Sequence, residues 1–418
     1  MNQAIKKRIE DINNGIVPEG YKQTPFGIFP YDWETASIGE VSINKGEYGL
    51  NAPACEYESG LPKYIRITDI DDNGNYVDTG ACVDFQDVTK QYTLKDGDVV
   101  FARTGATVGR NYLYKEKDGK LLYAGFLIKF SINKNVANPY IIYANSNTKQ
   151  YWNWIKKISA RSGQPGVNAE EYSQYRFVKA KDKTEQSKIA EILMKWDEMV
   201  ELQEQYIQKL ELRKKAYIDK FFTEKSCNCV FKDLYVQAGE GGTPDTKKVE
   251  YYENGNIPFV KIEHLYKKYI EEIDSFITEE GLKKSGAWLV PKNSLIFSNG
   301  ATIGECSINR IPVTTKQGIL GIVPSGRIEL EYFYYLLKSE YFLNKVKKIT
   351  TKGTMCTAYL KDIDKLKLYT HSKVEQSAIS KLLGKVDEEI SLQKEKLEKI
   401  KIQRKAMQQY LLTGIVRV

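Results

Sequence analysis

A chain of 418 residues, 42% of them hydrophobic, has room for two or three domains with real cores. The formal charge of +8 and a pI near 8.8 favour a polyanionic partner. The six cysteines (Cys55, Cys82, Cys227, Cys229, Cys306 and Cys356) include no C-x-x-C pair, which argues against a zinc site or a disulfide framework, and no apolar run reaches the roughly 18 residues of a membrane span.

From the N-terminus, residues from about 2 to 14 read as a charged amphipathic helix with Ile5, Ile9 and Ile12 on one face. Such a start is unlike a signal peptide and points to the cytoplasm. A loop rich in proline and glycine follows (Pro18, Gly20, Pro25, Gly27, Pro30). Short strands are expected at 33–41, 64–70, 98–102, 112–114 and 127–132, separated by turn signals such as Asp72-Asn73-Gly74, Asp96-Gly97 and Asp118-Gly119. One helix is expected over 139–158, and the stretch from Gly163 to Val167 breaks it before a much longer one.

That longer helix occurs twice. Residues 185–223 and 375–413 align without a gap and share 14 identities over 39 positions, among them Glu185-Gln186-Ser187 with Glu375-Gln376-Ser377. A period of 190 residues is too long for a solenoid, whose units run roughly 20 to 50, so a domain-plus-helix unit is duplicated. Ile189, Leu193, Trp196, Val200, Gln203, Ile207, Leu210 and Lys214 step by four and three, and so do Ile379, Leu383, Val386, Ile390, Gln393, Leu397, Ile400 and Arg404. This is the a/d seam of a coiled coil. One such stripe fits any dimerisation or core helix; two matched copies in one chain predict that they pair with each other. Ser372 with Glu375 forms a capping box, and Asp182 with Glu185 resembles one. The polar seam positions set an expected antiparallel register, with Gln203 beside Arg404 and Gln393 beside Lys214, centred near residues 208 and 209.

The second half repeats the plan of the first. Phe259-Val260-Lys261-Ile262 answers Tyr64-Ile65-Arg66-Ile67, and Asn299-Gly300-Ala301-Thr302-Ile303-Gly304 answers Thr104-Gly105-Ala106-Thr107-Val108-Gly109, both at an offset of 195. Residues 331–347 match the helix before the first long helix, and Gly353 matches Gly163. The expected fold is α+β: two similar domains of short, mainly antiparallel strands plus helices, separated by two long helices in an antiparallel, pseudo-twofold coiled coil. The expected boundaries are 1–182 for the first domain, 183–225 for the central helix, 226–371 for the second domain, and 372–418 for the C-terminal helix and tail.

No catalytic constellation holds together. There is no G-x-x-x-x-G-K-[ST] loop. Asn138-Pro139-Tyr140 has part of an amino-methyltransferase motif, without its second proline or a glycine-rich cofactor loop. Gly239 to Pro244 is glycine-rich, but Pro244 blocks the helix start that a phosphate-binding loop needs. Pro244-Asp245 is half of a metal-nuclease pattern with no Glu-x-Lys strand to complete it. No catalytic or metal-binding residue is therefore assigned. The two Gly-Ala-Thr-x-Gly blocks are either turns that maintain the fold or loops that bring Arg103, Thr104 and Asn299 to a ligand.

An ordered set of features carries a family resemblance. It comprises the paired Glu-Gln-Ser openings, Phe29-Pro30-Tyr31-Asp32-Trp33-Glu34, Gly241-Gly242-Thr243-Pro244, both Gly-Ala-Thr-x-Gly turns, and the tail Leu411-Leu412-Thr413-Gly414-Ile415-Val416-Arg417-Val418. Over essentially its whole length the chain resembles the specificity subunits of type I restriction-modification systems. It departs from them where a proline-rich step before Glu-Gln is replaced by Ala180-Lys181-Asp182 and Thr370-His371-Ser372. The resemblance implies two target recognition domains on double-stranded DNA, with helices that recruit two methyltransferase subunits and, through them, restriction-motor subunits. It also implies that the chain catalyses nothing and holds no cofactor itself. The assembly would methylate adenine with S-adenosylmethionine and cut with ATP and Mg²⁺, with no membrane involved.

A helix of about 38 residues spans roughly 57 Å, longer than one DNA turn of roughly 34–36 Å. Two domains held that far apart would read two short segments with an unread gap. Candidate DNA contacts are Lys45, Tyr48, Arg66, Arg103, Thr104 and Arg161 in the first domain, and Lys261, His264, Asn299, Lys316, Gln317 and Lys352 in the second. Two alternatives stand beside this reading: a scaffold that holds other proteins without touching DNA, and a self-contained restriction enzyme or methyltransferase with a degenerate site.

Overall fold

The computed structural model describes residues 3–56, 60–84, 87–160, 165–300, 302–351 and 356–418. Its chain divides into two compact units, Met1–Leu202 with Leu397–Val418, and Gln203–Lys396. This differs from a partition into domains and helices. Each unit combines one α+β domain with a stretch of both long helices, because each stretch buries its seam against the domain of its own unit.

In the first unit the strand Asp98–Ala102, apolar after its first residue, is the spine of a four-stranded antiparallel sheet, ordered Glu47–Tyr48, Leu127–Ser131, Asp98–Ala102, Asn111–Leu113. All five of its residues are buried, and its side chains alternate between two cores. Val99 and Phe101 pack with Tyr140, Tyr151 and Tyr172, while Val100 and Ala102 pack with Ile65 and Leu121. A second sheet carries one parallel pairing, Leu121–Tyr123 on Lys63–Ile65. Trp33–Ser37 pairs antiparallel with Arg176–Ala180, which closes the domain just before the long helix.

The second unit repeats this construction. Leu295–Ser298 is the middle strand of a five-stranded sheet ordered Tyr235–Glu240, Ile319–Pro324, Leu295–Ser298, Cys306–Asn309, Tyr269–Ile270. Leu295 and Phe297 face a core with Tyr332 and Phe342, and Ile296 faces one with Val260 and Val313. Thr314–Thr315 runs parallel to Ile257–Val260.

The single helix expected over 139–158 is two, Pro139–Asn145 and Lys149–Ile158. Thr148 separates them: its hydroxyl accepts the Tyr151 amide at 3.3 Å and caps the second helix. Ser339 does the same between Leu330–Lys338 and Glu340–Ile349, accepting from the Phe342 amide at 3.2 Å.

The long helices run Lys183–Phe221 and Lys373–Leu412. Their shared Glu-Gln-Ser openings repeat for a packing reason that sits in the glutamine. Gln186, 1% exposed, accepts the Asn138 amide at 2.9 Å and donates to the Ala180 carbonyl at 2.8 Å. Gln376 likewise accepts the Glu329 amide at 2.8 Å and donates to the His371 carbonyl at 2.9 Å. Each glutamine thereby ties the first turn of a long helix to the start of the short helix before it. The capping box at Ser372 and Glu375 forms, with the Ser372 amide 2.9 Å from the Glu375 carboxylate. At the first helix it does not. The buried Glu185 carboxylate instead accepts from Arg417 Nε at 2.5 Å and Trp33 Nε1 at 3.2 Å, and Asp182 caps the Thr184 amide. A guanidinium is the stronger partner for a carboxylate taken out of water.

The seam is antiparallel within each unit, but its register is not the one expected. In the second unit Leu210 packs on Val386 and Ile390, and Gln203 Nε2 donates to Gln393 Oε1 at 2.9 Å. Lys214 lies 2.5 Å from Asp387, which also accepts the Tyr335 hydroxyl at 2.5 Å. In the first unit Leu193 joins Leu411 in the main core, and Arg404 Nε donates to Asp197 at 2.8 Å, with Tyr140 bonded to the same carboxylate. Trp196 is half-buried, and Leu383 and Ile400 are buried. The expected pairing of Arg404 with Gln203 and of Lys214 with Gln393 is thus replaced by pairing with carboxylates next to the seam, since charge-assisted bonds are roughly twice as strong as neutral ones. Cysteines placed at 203 and 393 should form a disulfide on mild oxidation, detected as a linked peptide pair by mass spectrometry, and cysteines at 214 and 393 should not. The opposite yields would restore the other register. Among the described residues, no helix is long and apolar enough to cross a membrane.

Candidate nucleic-acid interface

In each unit, four segments meet at one end of the sheets. In the first unit the turn of residues 124–126 is the hub. The Ala124 amide donates to Ile65 O at 3.0 Å, Gly125 to Leu50 O at 2.7 Å, and the Arg103 amide to Phe126 O at 3.0 Å. The hub of the second unit is the turn of residues 316–318. Lys316 donates to Val260 O at 3.0 Å, the Gln317 amide to Thr243 Oγ1 at 3.4 Å, and the Asn299 amide to Gly318 O at 3.0 Å. The incoming strand crosses each hub closely. A Cβ on Gly49 would stand 2.2 Å from Ala124 O, and one on Gly241 would stand 1.9 Å from Thr315 O. Glycine is needed at both places, which accounts for Gly241 in the Gly-Gly-Thr-Pro motif.

The Gly-Ala-Thr-x-Gly turns close alike at their ends. Gly109 (φ +92°) donates to Ala102 O, and Gly304 (φ +105°) donates to Ser298 O. A Cβ at either would press on the following helices, at 2.9 Å from Trp152 or 2.8 Å from Leu343. The equivalence at 195 residues nevertheless slips by one inside the turn. Arg103 O accepts the Val167 amide at 2.9 Å, and Asn299 O accepts the Ala358 amide at 2.9 Å. Arg103, not Thr104, therefore occupies the place of Asn299, because the first turn is one residue longer.

The candidate side chains divide accordingly. Lys45 is exposed on the bend leading into Glu47–Tyr48. Arg103 lies over the Tyr48 ring at 4.9 Å, a cation–π pair beside the first hub. Lys316 and Gln317 are exposed at the tip of the second. Thr104 bridges Gly166 through its backbone, and its hydroxyl is 3.5 Å from Pro165 O.

Arg66 and His264 occupy the same turn in the two units, and each is engaged internally. Arg66 forks onto Asp69 at 2.8 and 2.9 Å, and this hydrogen bonding raises its already high pKa. His264 accepts the Lys261 amide at 3.0 Å through Nδ1 and meets Asp274 at 3.0 Å through Nε2. Lys261 stays partly exposed, with its ammonium 3.9 Å from Glu263. Asn299 needs a correction. It is 0% exposed, and its amide donates to Ala358 O at 3.1 Å. Its side chain ties the turn to the neighbouring segment and presents no surface to a ligand. Arg161 and Lys352 lie outside the described residues.

Two residues of the clusters were missed in the sequence. Phe126 projects from the first hub, 56% exposed. Glu240 takes the place of Tyr48 in the second unit and accepts the Gly318 amide at 2.8 Å. Neither lies in a block that the ungapped repeat aligns.

A family model described as "Type I restriction modification DNA specificity domain" matches residues 30–212 and again 232–402. The chain is 23% identical to the MjaVIII type I restriction enzyme specificity subunit of Methanocaldococcus jannaschii, over 96% of this chain and 98% of that one. Its fold is similar to that of a chain from a structural study of complex assembly and conformational transition of the type I R-M system, with a TM-score of 0.59, 14% identity, and coverage of 93% of this chain and 99% of the other. It is also similar to the type I restriction-modification S subunit from M. genitalium, with a TM-score of 0.52, 16% identity and coverage of 91% and 96%.

Proposed function

Because the chain belongs to the type I restriction-modification DNA specificity family, we propose that each of its units reads one half of a bipartite double-stranded target through the hub described above. The observation that carries this reading is that one backbone scaffold, built twice, holds different side chains at equivalent places. Tyr48, Arg103 and Phe126 in the first unit stand where Glu240, Asn299 and Gly318 stand in the second. A duplicated scaffold whose exposed tip carries Phe126 in one unit and Lys316 and Gln317 in the other suits two readers of two different sequences. Base edges in the major groove carry the donor, acceptor and methyl pattern that such tips discriminate.

The long helices recruit two methyltransferase subunits in this account, and restriction subunits through them. Their solvent faces support it: Leu202 and Leu392, 190 residues apart, are 56% and 62% exposed, and Leu212 and Ile402, at the same spacing, are 67% and 68% exposed. Apolar side chains repeated outside the seam suit two equivalent partners. S-adenosylmethionine, ATP and Mg²⁺ belong to those partners, and the complex acts in the cytoplasm.

Arg103→Ala, assembled with the methyltransferase subunits, should methylate sites matching the first half-target roughly tenfold less well, with binding to random duplex little changed. Equal loss on target and random duplex would mean that Arg103 holds phosphate and does not specify. A plain protein scaffold would show no target preference at all.

A further inference from the structure

We propose that Phe126 reads a thymine in the first half-site by apolar contact with its C5-methyl group. This inference rests on the reading of the first unit as a DNA reader and names one specificity-determining residue within it.

Phe126 is more than half exposed on a turn that the backbone pins from three sides, to Ile65, to Leu50 and to Arg103. The fold does not call for an aromatic side chain there. The second unit builds the same turn with Gly318 at this position and with Lys316 and Gln317 before it. Among the described residues, the ring joins none of the buried hydrophobic clusters of its own unit. It is therefore an apolar group facing water on a pinned turn, and its backbone carbonyl accepts the amide of Arg103, whose guanidinium lies over Tyr48. On a face that meets a duplex, Arg103 suits phosphate or guanine. The major groove offers one apolar group to a neighbouring phenyl ring, the methyl of thymine. Because the turn is already ordered, the contact loses little conformational entropy on binding.

The test compares the wild-type chain and Phe126→Ala, each assembled with its methyltransferase subunits. Both are titrated on the methylated target duplex and on duplexes in which deoxyuridine replaces each thymine of the first half-site in turn. One replacement should weaken wild-type binding about fourfold, the share of a single methyl group, and should weaken Phe126→Ala no further. Affinity for random duplex and the melting temperature should match between the two proteins, since the side chain is exposed. If every replacement affects both proteins equally, or affects neither, Phe126 does not read a methyl group and the inference fails. A wild-type assembly that shows no preference for its target over random duplex would instead sink the underlying reading of the unit.

Discussion

Asp387→Ala should destabilise the second unit by about 3–5 kcal/mol, lowering its melting transition by roughly 6–20 °C. Asp387 accepts the Tyr335 hydroxyl and sits 2.5 Å from Lys214 and 3.3 Å from Lys268. Lys268 in turn pairs with Glu331, which also takes Arg310 at 3.0 Å. Removing the carboxylate leaves two mostly buried ammonium groups without their common partner, and that loss exceeds the value of the pair itself. Burial alone would raise the Asp387 pKa, but Lys214, Tyr335 and Lys268 bring it below the ordinary 3.8. A carboxylate depressed in the folded state adds stability that is complete above its unfolded pKa and is lost as the pH falls through the folded value. The gap between wild type and Asp387→Ala should therefore hold from neutral pH down to about 4 and close only below it. Thermal melts across that range measure it, and a constant gap down to pH 2 would mean that packing, not charge, accounts for the loss.

Asp197 and Asp387 show where the sequence was legible and where it was not. The a/d stripe is visible because 3.5-residue periodicity is a property of one strand of text. Register is a property of two, and here it turns on carboxylates just outside the stripe and on tyrosines far away in sequence, Tyr140 and Tyr335. The strand Asp98–Ala102 was legible because five apolar or turn-flanked residues suit a strand buried on both faces. The break between Asn145 and Lys149 was not, since Thr148 acts through a local cap that apolar periodicity overrides. Within the candidate site, repetition locates the two equivalent turns but misaligns them by one residue. The two copies differ by one residue inside the Gly-Ala-Thr-x-Gly loop, and polar residue type alone does not show that Asn299 is buried. Phe126 leaves no signal, because a lone aromatic just before the strand expected at 127–132 has no period or motif that tells an exposed ring from a core one.

If the two units are separate readers, each keeps its half of the target when the other is exchanged. Replacing residues 226–371 with the equivalent segment of a relative tests it, provided that the incoming segment keeps a tyrosine at the position of Tyr335 so that Asp387 stays satisfied. The chimera, assembled with its methyltransferase subunits in cells lacking other adenine methylation, is then read by single-molecule sequencing of the genome. The expected result is a methylated motif in which one half is unchanged and the other half is that of the donor. A motif in which both halves change together would contradict it.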